Sequence, residues 1–154
     1  MHKKDVDLVV LALSSPIMVG VYEDKKLIDS VVTEEKSSEV LPTIYEELDL
    51  KYEIKNLFYA KGPGSFMAIK VAYIFLKSLS ILKNIPLRAT DAFFFNENQP
   101  IKAVGKLYFV KISDKIETKK FDDPVSSNFR LPTFLNYDDF DTKTAPEYGI
   151  SAVG

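Results

Sequence analysis

Serine hydroxyls at the end of the first predicted strand are the side chains of this chain with the most obvious chemistry. Ser14 and Ser15 follow an apolar, β-branched run that begins at Val6. A serine nucleophile needs a base beside it, and no histidine or lysine stands at a recognisable spacing from this pair. The chain has one histidine, His2, and no cysteine. The composition therefore excludes disulfides and zinc–thiolate sites and argues against histidine acid–base catalysis, so the serines are interpreted as strand-end residues that hydrogen-bond to the backbone.

A glycine-rich turn in the middle of the chain is the second candidate. Gly62-Pro63-Gly64-Ser65 follows a short apolar strand and precedes a long apolar helix, with Ser65 at the expected N-cap. Backbone N–H groups at such a helix start can hold a phosphate. The turn lacks the lysine and hydroxyl of a P-loop, and Met67 stands where a dinucleotide fingerprint needs its third glycine. Anion binding and a purely structural turn both remain open, and the structural turn is favoured.

Carboxylates that could hold a metal ion are concentrated in the last third of the sequence. A calcium loop of the EF-hand type needs acidic residues at fixed spacing, with a glycine and a closing glutamate. That spacing is absent, so no metal site is predicted, and these side chains are interpreted as solvated loop carboxylates. They are Asp122, Asp123, Asp138, Asp139 and Asp141.

The helix after the turn is more apolar than a surface helix needs to be. From Phe66 to Leu82 the polar residues are Lys70, Lys77, Ser78 and Ser80. At about 100° per residue, three of them fall on one narrow strip, which leaves more than half of the circumference apolar. One side must pack on a sheet, and the other requires a second cover. That cover is another helix of the chain, a partner protein, or both.

The order of predicted elements indicates an α/β fold with a mixed sheet. Three antiparallel strands are followed by helices that alternate with strands, in the order β-β-β-α-β-α-β-α. A polar connection is predicted over Lys51 to Lys55. The predicted strands cover Val6 to Ser14, Ile17 to Tyr22, Leu27 to Thr33, Leu57 to Ala60 and Ile85 to Ala89, and the predicted helices begin at Ser37, Ser65 and Asp91.

A weak domain boundary is predicted near Gln99, which divides the chain into residues 1–99 and 100–154. After it, Ile101 to Val104 and Leu107 to Ile112 form a second strand–turn–strand pattern around Gly105. From Ser113 onward the sequence has no helical periodicity and only short apolar pieces. We therefore expect a small, partly irregular second subdomain.

The overall composition indicates a folded protein without a strong electrostatic partner. The chain has 154 residues, of which 46% are hydrophobic, and 20 basic against 22 acidic residues give a net charge of -2. Avid binding to nucleic acid or to an anionic membrane is therefore not expected. The first apolar run is interrupted by aspartates and reads as a strand rather than a signal peptide, and the long helix carries two lysines. A cytoplasmic location is expected.

Several of these segments resemble the TsaB (YeaZ) family of tRNA threonylcarbamoyladenosine biosynthesis proteins. Its GPGSFTGLRIG-type loop is matched at Gly62, Pro63, Gly64, Ser65 and Phe66, a family helix with a Leu-Pro pair at Leu41-Pro42, and the strand that opens its second subdomain at Ala103 to Ile112. The resemblance covers about the first 112 residues. Lys70 stands in place of the family's arginine, Met67 in place of its threonine, and Ser14-Ser15 in place of its Asp-Thr pair.

Membership would imply an actin-like, Hsp70-like ATPase fold of the ribonuclease H type, and a subunit without a catalytic site of its own. Such proteins pair with the catalytic TsaD subunit, which modifies adenosine 37 of tRNA, and the TsaE ATPase joins the complex. The resemblance implies contact with tRNA only through the complex, a homodimer in isolation and no cofactor of its own, with ATP or ADP at a complex interface as a candidate. The missing Asp-Thr pair argues further against independent ATP hydrolysis, and the second half is expected to be shorter than in relatives.

A helix–helix contact is predicted to hold the partner. Its residues come from the first two predicted helices. They are Val40, Leu41, Ile44, Tyr45, Leu48, Met67, Ala68, Lys70, Val71, Ile74, Lys77 and Ser78.

Two rival functions remain open. One is a nucleotide-dependent phosphotransferase or peptidase-like hydrolase of the same fold, which needs a carboxylate-bound metal and a base near Gly62 to Ser65. The other is a generic protein-interaction domain unrelated to tRNA, which accounts equally well for the apolar helix but not for the coincidence of motifs.

Overall fold

A five-stranded mixed sheet forms the centre of the molecule. The computed structural model describes residues 2–14, 16–35 and 38–149. The strands are β1 (Lys4–Leu11), β2 (Ile17–Glu23), β3 (Lys26–Thr33), β4 (Tyr52–Ala60) and β5 (Leu87–Thr90). Their order across the sheet is β3-β2-β1-β4-β5.

The first three strands form an antiparallel meander, as predicted. The turn between β2 and β3 places Asp24 and Lys25 at positive φ, 49° and 69°. Two successive residues of positive φ match the right-handed twist of the strands that they join. β4 lies parallel to β1, and β5 lies parallel to β4, so the sheet is mixed, as the element order predicted.

Two helices make the parallel connections and cover one face of the sheet. They are α1 (Leu41–Lys51), which follows a single 3₁₀ turn over Ser38–Val40, and α2 (Phe66–Lys83). Pro42 lies in the first turn of α1, where its missing N–H costs no hydrogen bond. The predicted helix start at Ser37 lies outside the described residues.

Both faces of β1 are buried, because its side chains alternate between two cores. Val6, Leu8 and Val10 pack with α1 and α2, whereas Val9 and Leu11 point into a second cluster on the opposite face. A central strand buried on both sides reads as a continuous apolar run. This is why the first predicted strand showed no alternation.

The second face is covered by a small antiparallel sheet and by extended chain. Its strands are β6 (Ile101–Lys102), β7 (Leu107–Ile112) and β8 (Lys115–Lys120), in the order β6-β7-β8. The predicted strand–turn–strand pattern is thereby confirmed. β8 lies in the segment after Ser113, for which no strand was predicted. Four of the six residues of β8 are charged, and its burial is slight, so it carries no apolar alternation from which a strand could be predicted.

Residues 130–149 form a strap that crosses the second face from one edge of the large sheet to the other. At the β3 edge, the Leu27 N–H donates to the Thr133 carbonyl at 3.1 Å. At the β5 edge, Ala89 and Asp141 exchange two backbone hydrogen bonds of 2.9 Å. The strap contributes Leu135 and Phe140 to the second core. The irregular backbone predicted for this region is confirmed, while the boundary near Gln99 stays a prediction.

The predicted polar connection at Lys51 to Lys55 was wrong, because β4 already begins at Tyr52. Tyr52 and Ile54 are buried, and Glu53 and Lys55 are exposed. This is the period-two alternation of a strand with one wet face. The predicted strand at Ile85 to Ala89 is present as β5, two residues later, and Ala92–Phe95 form a short 3₁₀ helix with Asp91 as its N-cap.

A buried polar cluster fastens the strap to β1. Asp7 is a buried residue, only 7% exposed, and its side chain accepts hydrogen bonds from the Asn56 amide at 2.8 Å and from the Tyr137 hydroxyl. The guanidinium of Arg88 lies 5.4 Å from the centre of the Tyr137 ring. Burial is the main reason why the pKa of Tyr137 rises to about 12, with the hydrogen bond to Asp7 adding to it.

No helix within the described ranges is long and apolar enough to cross a membrane.

Candidate functional site

The outer face of α2 carries an uncovered line of large apolar side chains. Met67, Ile74 and Ile81 are 61%, 54% and 69% exposed. Residues seven apart in a helix lie within about 20° of each other around the axis, so these three form one line along the helix. Leu82, 82% exposed, adjoins this line at its C-terminal end, about 100° around the axis from Ile81. We call these four residues the α2 stripe.

The opposite face of the same helix is fully used by the core. Ile69, Ala72, Leu76 and Leu79 are buried, at the spacing of three and four that places residues on one side of a helix. α2 is therefore apolar on two sides, and residues 2–14, 16–35 and 38–149 cover only one of them. This confirms that the helix has apolar surface beyond what its own core requires.

Two lysines run along one side of the α2 stripe. Lys70 and Lys77 are exposed, and the Lys70 ammonium lies 6.0 Å from the centre of the Phe66 ring. Their positions around the helix differ from that of Ile81 by roughly 20° to 40° at 100° per residue. An apolar partner surface that docks on the stripe would therefore meet a positively charged border.

The predicted α1 residues are placed in the chain's own core. Leu41, Ile44, Tyr45 and Leu48 are 2–8% exposed and pack against the sheet and α2. The Tyr45 ring meets Phe75 of α2 edge-on, with 6.2 Å between ring centres. These four side chains are thus buried in the core of the molecule and are not available to contact a partner.

The outward side of α1 is mainly acidic. Glu46 and Glu47 are exposed, as is Leu50 at 80%. The remaining predicted contact residues are not in the core: Ala68, Val71 and Val40 are half-buried, and Ser78 is exposed.

The α2 stripe includes two residues that the sequence analysis missed, Ile81 and Leu82. The signal that could have found Ile81 is the seven-residue repeat that it forms with Met67 and Ile74.

The glycine turn before α2 is packed between three parts of the chain. Gly62 has φ 116°, and a Cβ at this position would lie 2.0 Å from the carbonyl oxygen of Glu147 in the strap. Its own carbonyl accepts a hydrogen bond of 2.8 Å from the Ala92 N–H. The Ser65 N–H donates to the Leu13 carbonyl at 3.1 Å.

Ser65 is the N-cap of α2, as predicted, but its side chain makes no capping hydrogen bond. The geometry therefore gives the turn a structural role, in which glycine is needed for close approach.

A cleft of about 970 Å³ opens beside this turn. Ser14, Gly64 and Ser65 line it on one side, and the small sheet lines it on the other. No carboxylate is present among the described lining residues, and within the described ranges no group of three or more His, Cys, Asp or Glu residues could hold a metal ion. Ser14 is exposed at this rim, while Ser15 lies outside the described residues.

No family model matches the chain, and the comparison with curated proteins found no match. Its fold is similar to that of YeaZ from Pseudomonas aeruginosa, with a TM-score of 0.57 and 12% identity over 81% of this chain and 67% of that one. A structure described as an uncharacterized protein with similarity to peptidase YeaZ from Pseudomonas aeruginosa matches with a TM-score of 0.54 and 13% identity, over 76% of this chain and 64% of that one. The chain thus spans about two thirds of each solved protein. The resemblance to YeaZ is thereby confirmed for the fold.

Proposed function

We propose that this protein is a non-catalytic scaffold that binds and activates the TsaD subunit of the tRNA threonylcarbamoyladenosine complex. The observation that carries the proposal is the α2 stripe, an uncovered apolar line on the helix that begins at the family's glycine loop. The YeaZ-like fold supports the assignment to this system. The strand order and the two crossover helices on one face support an actin-like fold of the ribonuclease H type.

Burial of the α2 stripe provides the driving force for pairing. Complete burial of a large aliphatic side chain contributes about 1.5–3 kcal/mol. Four side chains that are already about one third buried would together contribute about 4–8 kcal/mol, before the cost of association is subtracted. This is enough to position a partner when the polar border is complementary.

The charges beside the stripe suggest the character of that partner surface. Lys70 and Lys77 border the stripe, and Glu46 and Glu47 lie on the outward side of α1. A partner helix pair that offers an apolar centre with carboxylates toward the lysines would be complementary. In the absence of TsaD, a second copy of the chain is the simplest cover, because an isologous dimer buries the same patch on both subunits.

The catalytic work belongs to the partner in this proposal. The TsaE ATPase would join the complex, tRNA would be bound by the complex, and ATP or ADP at a complex interface remains a candidate. The loop at Gly62 to Phe66 would fix the start of α2, and hence the line of the stripe, rather than bind an anion.

A reconstituted modification assay tests the proposal. Threonylcarbamoyladenosine formed on tRNA is measured with TsaD and TsaE from the same cell and an added threonylcarbamoyl donor, with and without this protein. We expect modification to depend on this protein, to be lost with Ile74→Glu, and to be retained with Ile112→Glu. Ile112 is an equally exposed residue, at 56%, on β7.

Equal modification with and without the protein would contradict the proposal. So would a loss of activity in both variants alike, because the effect would then not belong to α2.

A further inference from the structure

The cleft beside the glycine turn is a second feature of the molecule, separate from the α2 stripe. Its volume of about 970 Å³ lies at the upper end of the range of about 300–1,000 Å³ that small-molecule sites occupy. None of the four stripe residues lines it. A ligand here and a partner on the stripe would therefore occupy different surfaces.

The walls of the cleft are apolar and come from every part of the chain around it. Leu13 follows β1, Ile101 and Phe109 belong to the small sheet, and Phe129 and Tyr148 come from the C-terminal segment. The Tyr148 ring packs 4.5 Å from that of Phe66 at the start of α2. Such walls favour the body of an apolar ligand, because its burial releases water from both surfaces.

The polar groups of the cleft are few, and they select one charge sign. Ser14, Ser65 and Ser127 contribute hydroxyl groups, and Lys102 is the only charged side chain among the described lining residues. Lys102 is exposed, so its ammonium group is accessible at the rim. With one cation and no carboxylate among its described lining residues, the cleft is complementary to a single negative charge.

A nucleoside triphosphate does not suit this lining. Its phosphates carry several negative charges and are usually bound with Mg²⁺ through one or two carboxylates. The described lining residues offer one lysine and no carboxylate.

We propose that the cleft binds an amphipathic monoanion, an unbranched hydrocarbon chain ending in a carboxylate. The hydrocarbon chain of the ligand lies between Leu13, Phe109 and Phe129, and its carboxylate lies beside Lys102. Such a ligand would hold the small sheet against the start of α2. This inference does not depend on the proposed scaffold function, and its test requires no partner protein.

The experiment is a titration of the ¹⁵N-labelled protein with sodium dodecanoate, below its micelle concentration, followed by amide NMR. We expect saturable shifts at Gly64, Ser65 and Ala103. Octanoate, which is four methylene groups shorter, should bind at least about tenfold more weakly, because each buried methylene adds to the affinity. Neutral dodecanamide should bind about tenfold more weakly than dodecanoate, since it lacks the charge that Lys102 attracts.

Three variants locate the site. Lys102→Glu is expected to weaken dodecanoate binding about tenfold, and Ala103→Trp, which fills the cleft, to abolish it. Lys106→Glu changes the charge of another exposed lysine outside the lining and should leave binding unchanged. If Ala103→Trp does not fold, Val104→Asp takes its place and is likewise expected to abolish binding. Val104 is 67% exposed at the rim, so a polar side chain there should leave the fold intact.

The proposal is overturned by an absence of saturable shifts, by shifts centred on Ile74 and Ile81, or by equal binding of dodecanamide and dodecanoate. It is also overturned if binding appears only after residues 150–154 are removed, because the cleft would then be filled by the chain itself. Unchanged binding in Lys102→Glu would refute the placement of the carboxylate.

Discussion

Removal of the Tyr137 hydroxyl is expected to destabilise the protein by about 2 kcal/mol, because a buried carboxylate loses a donor. Asp7 is 7% exposed as a residue, and its side chain accepts one hydrogen bond from Asn56, at 2.8 Å, and one from Tyr137. A hydrogen bond to a charged group contributes about 1.5–3 kcal/mol. Tyr137→Phe keeps the ring, whose centre lies 5.1 Å from that of Phe58, so the packing of the strap is preserved.

Urea unfolding followed by circular dichroism measures this loss, and the melting temperature should fall by about 4–8 °C for a chain of this size. Tyr52→Phe is the matched control. The Tyr52 hydroxyl donates at 3.0 Å to Asp29, whose side chain is 36% exposed, so water replaces the lost donor. Its cost should stay below about 1 kcal/mol.

A double-mutant cycle with Asp7→Asn should give a coupling energy of about 1 kcal/mol or more between Asp7 and Tyr137. The interpretation of this cluster as the anchor of the strap fails if Tyr137→Phe costs no more than Tyr52→Phe, or if the coupling is zero.

Two further predictions concern the same parts of the chain. Gly62→Ala should destabilise the protein by about 3 kcal/mol, because alanine is strained at positive φ and its Cβ would displace Glu147. Gly105→Ala, at φ 58° and with nothing within 4 Å of a Cβ, should lower the free energy of unfolding in urea by only about 1 kcal/mol. Equal losses for the two variants would contradict the close approach of Gly62 to Glu147. Burial raises the pKa of Tyr59 above 10 and that of Tyr137 to about 12. The folded protein therefore keeps protons that the unfolded chain loses near pH 10. The free energy of unfolding should have its full value below pH 10 and fall between about pH 10 and 12. Tyrosine absorbance at 295 nm that titrates entirely near pH 10 in the folded protein would contradict this.

The large sheet could be predicted because its strands are marked locally. The meander, the glycine turn and the apolar helix each follow from short segments of sequence, in which propensity, turn chemistry and hydrophobic period agree. The predicted strand begins at Leu57, five residues after the observed start of β4 at Tyr52. Tyr52 and Ile54 alternate with charged residues, and such a segment resembles a polar connection.

The strap and its anchor could not be predicted in the same way. Asp7 is separated from Tyr137 by 130 residues, and nothing near either residue indicates the other. The same holds for the cleft, whose walls come from five distant segments. Contacts of this kind depend on the assembled fold rather than on local pattern.

The sequence allowed the α2 part of the candidate interface to be predicted, but not the placement of α1. Helical spacing separated the apolar from the polar side of α1, but whether the apolar side faces the sheet or a partner depends on how the helix is placed. In the structure, Leu41, Ile44, Tyr45 and Leu48 face the core. The second apolar side of α2 was visible from the sequence because no single core could cover both.

The measurement that tests the central claim most directly is the affinity of the purified protein for TsaD, by isothermal titration calorimetry, for the unaltered chain, Ile74→Glu and Ile112→Glu. A glutamate at position 74 would lose its hydration when the α2 stripe is buried against an apolar partner surface, so Ile74→Glu should weaken binding about 100-fold or more, while Ile112→Glu should bind as the unaltered chain does. Equal affinities for all three proteins, or no binding by any of them, would contradict the claim that α2 holds this chain against TsaD.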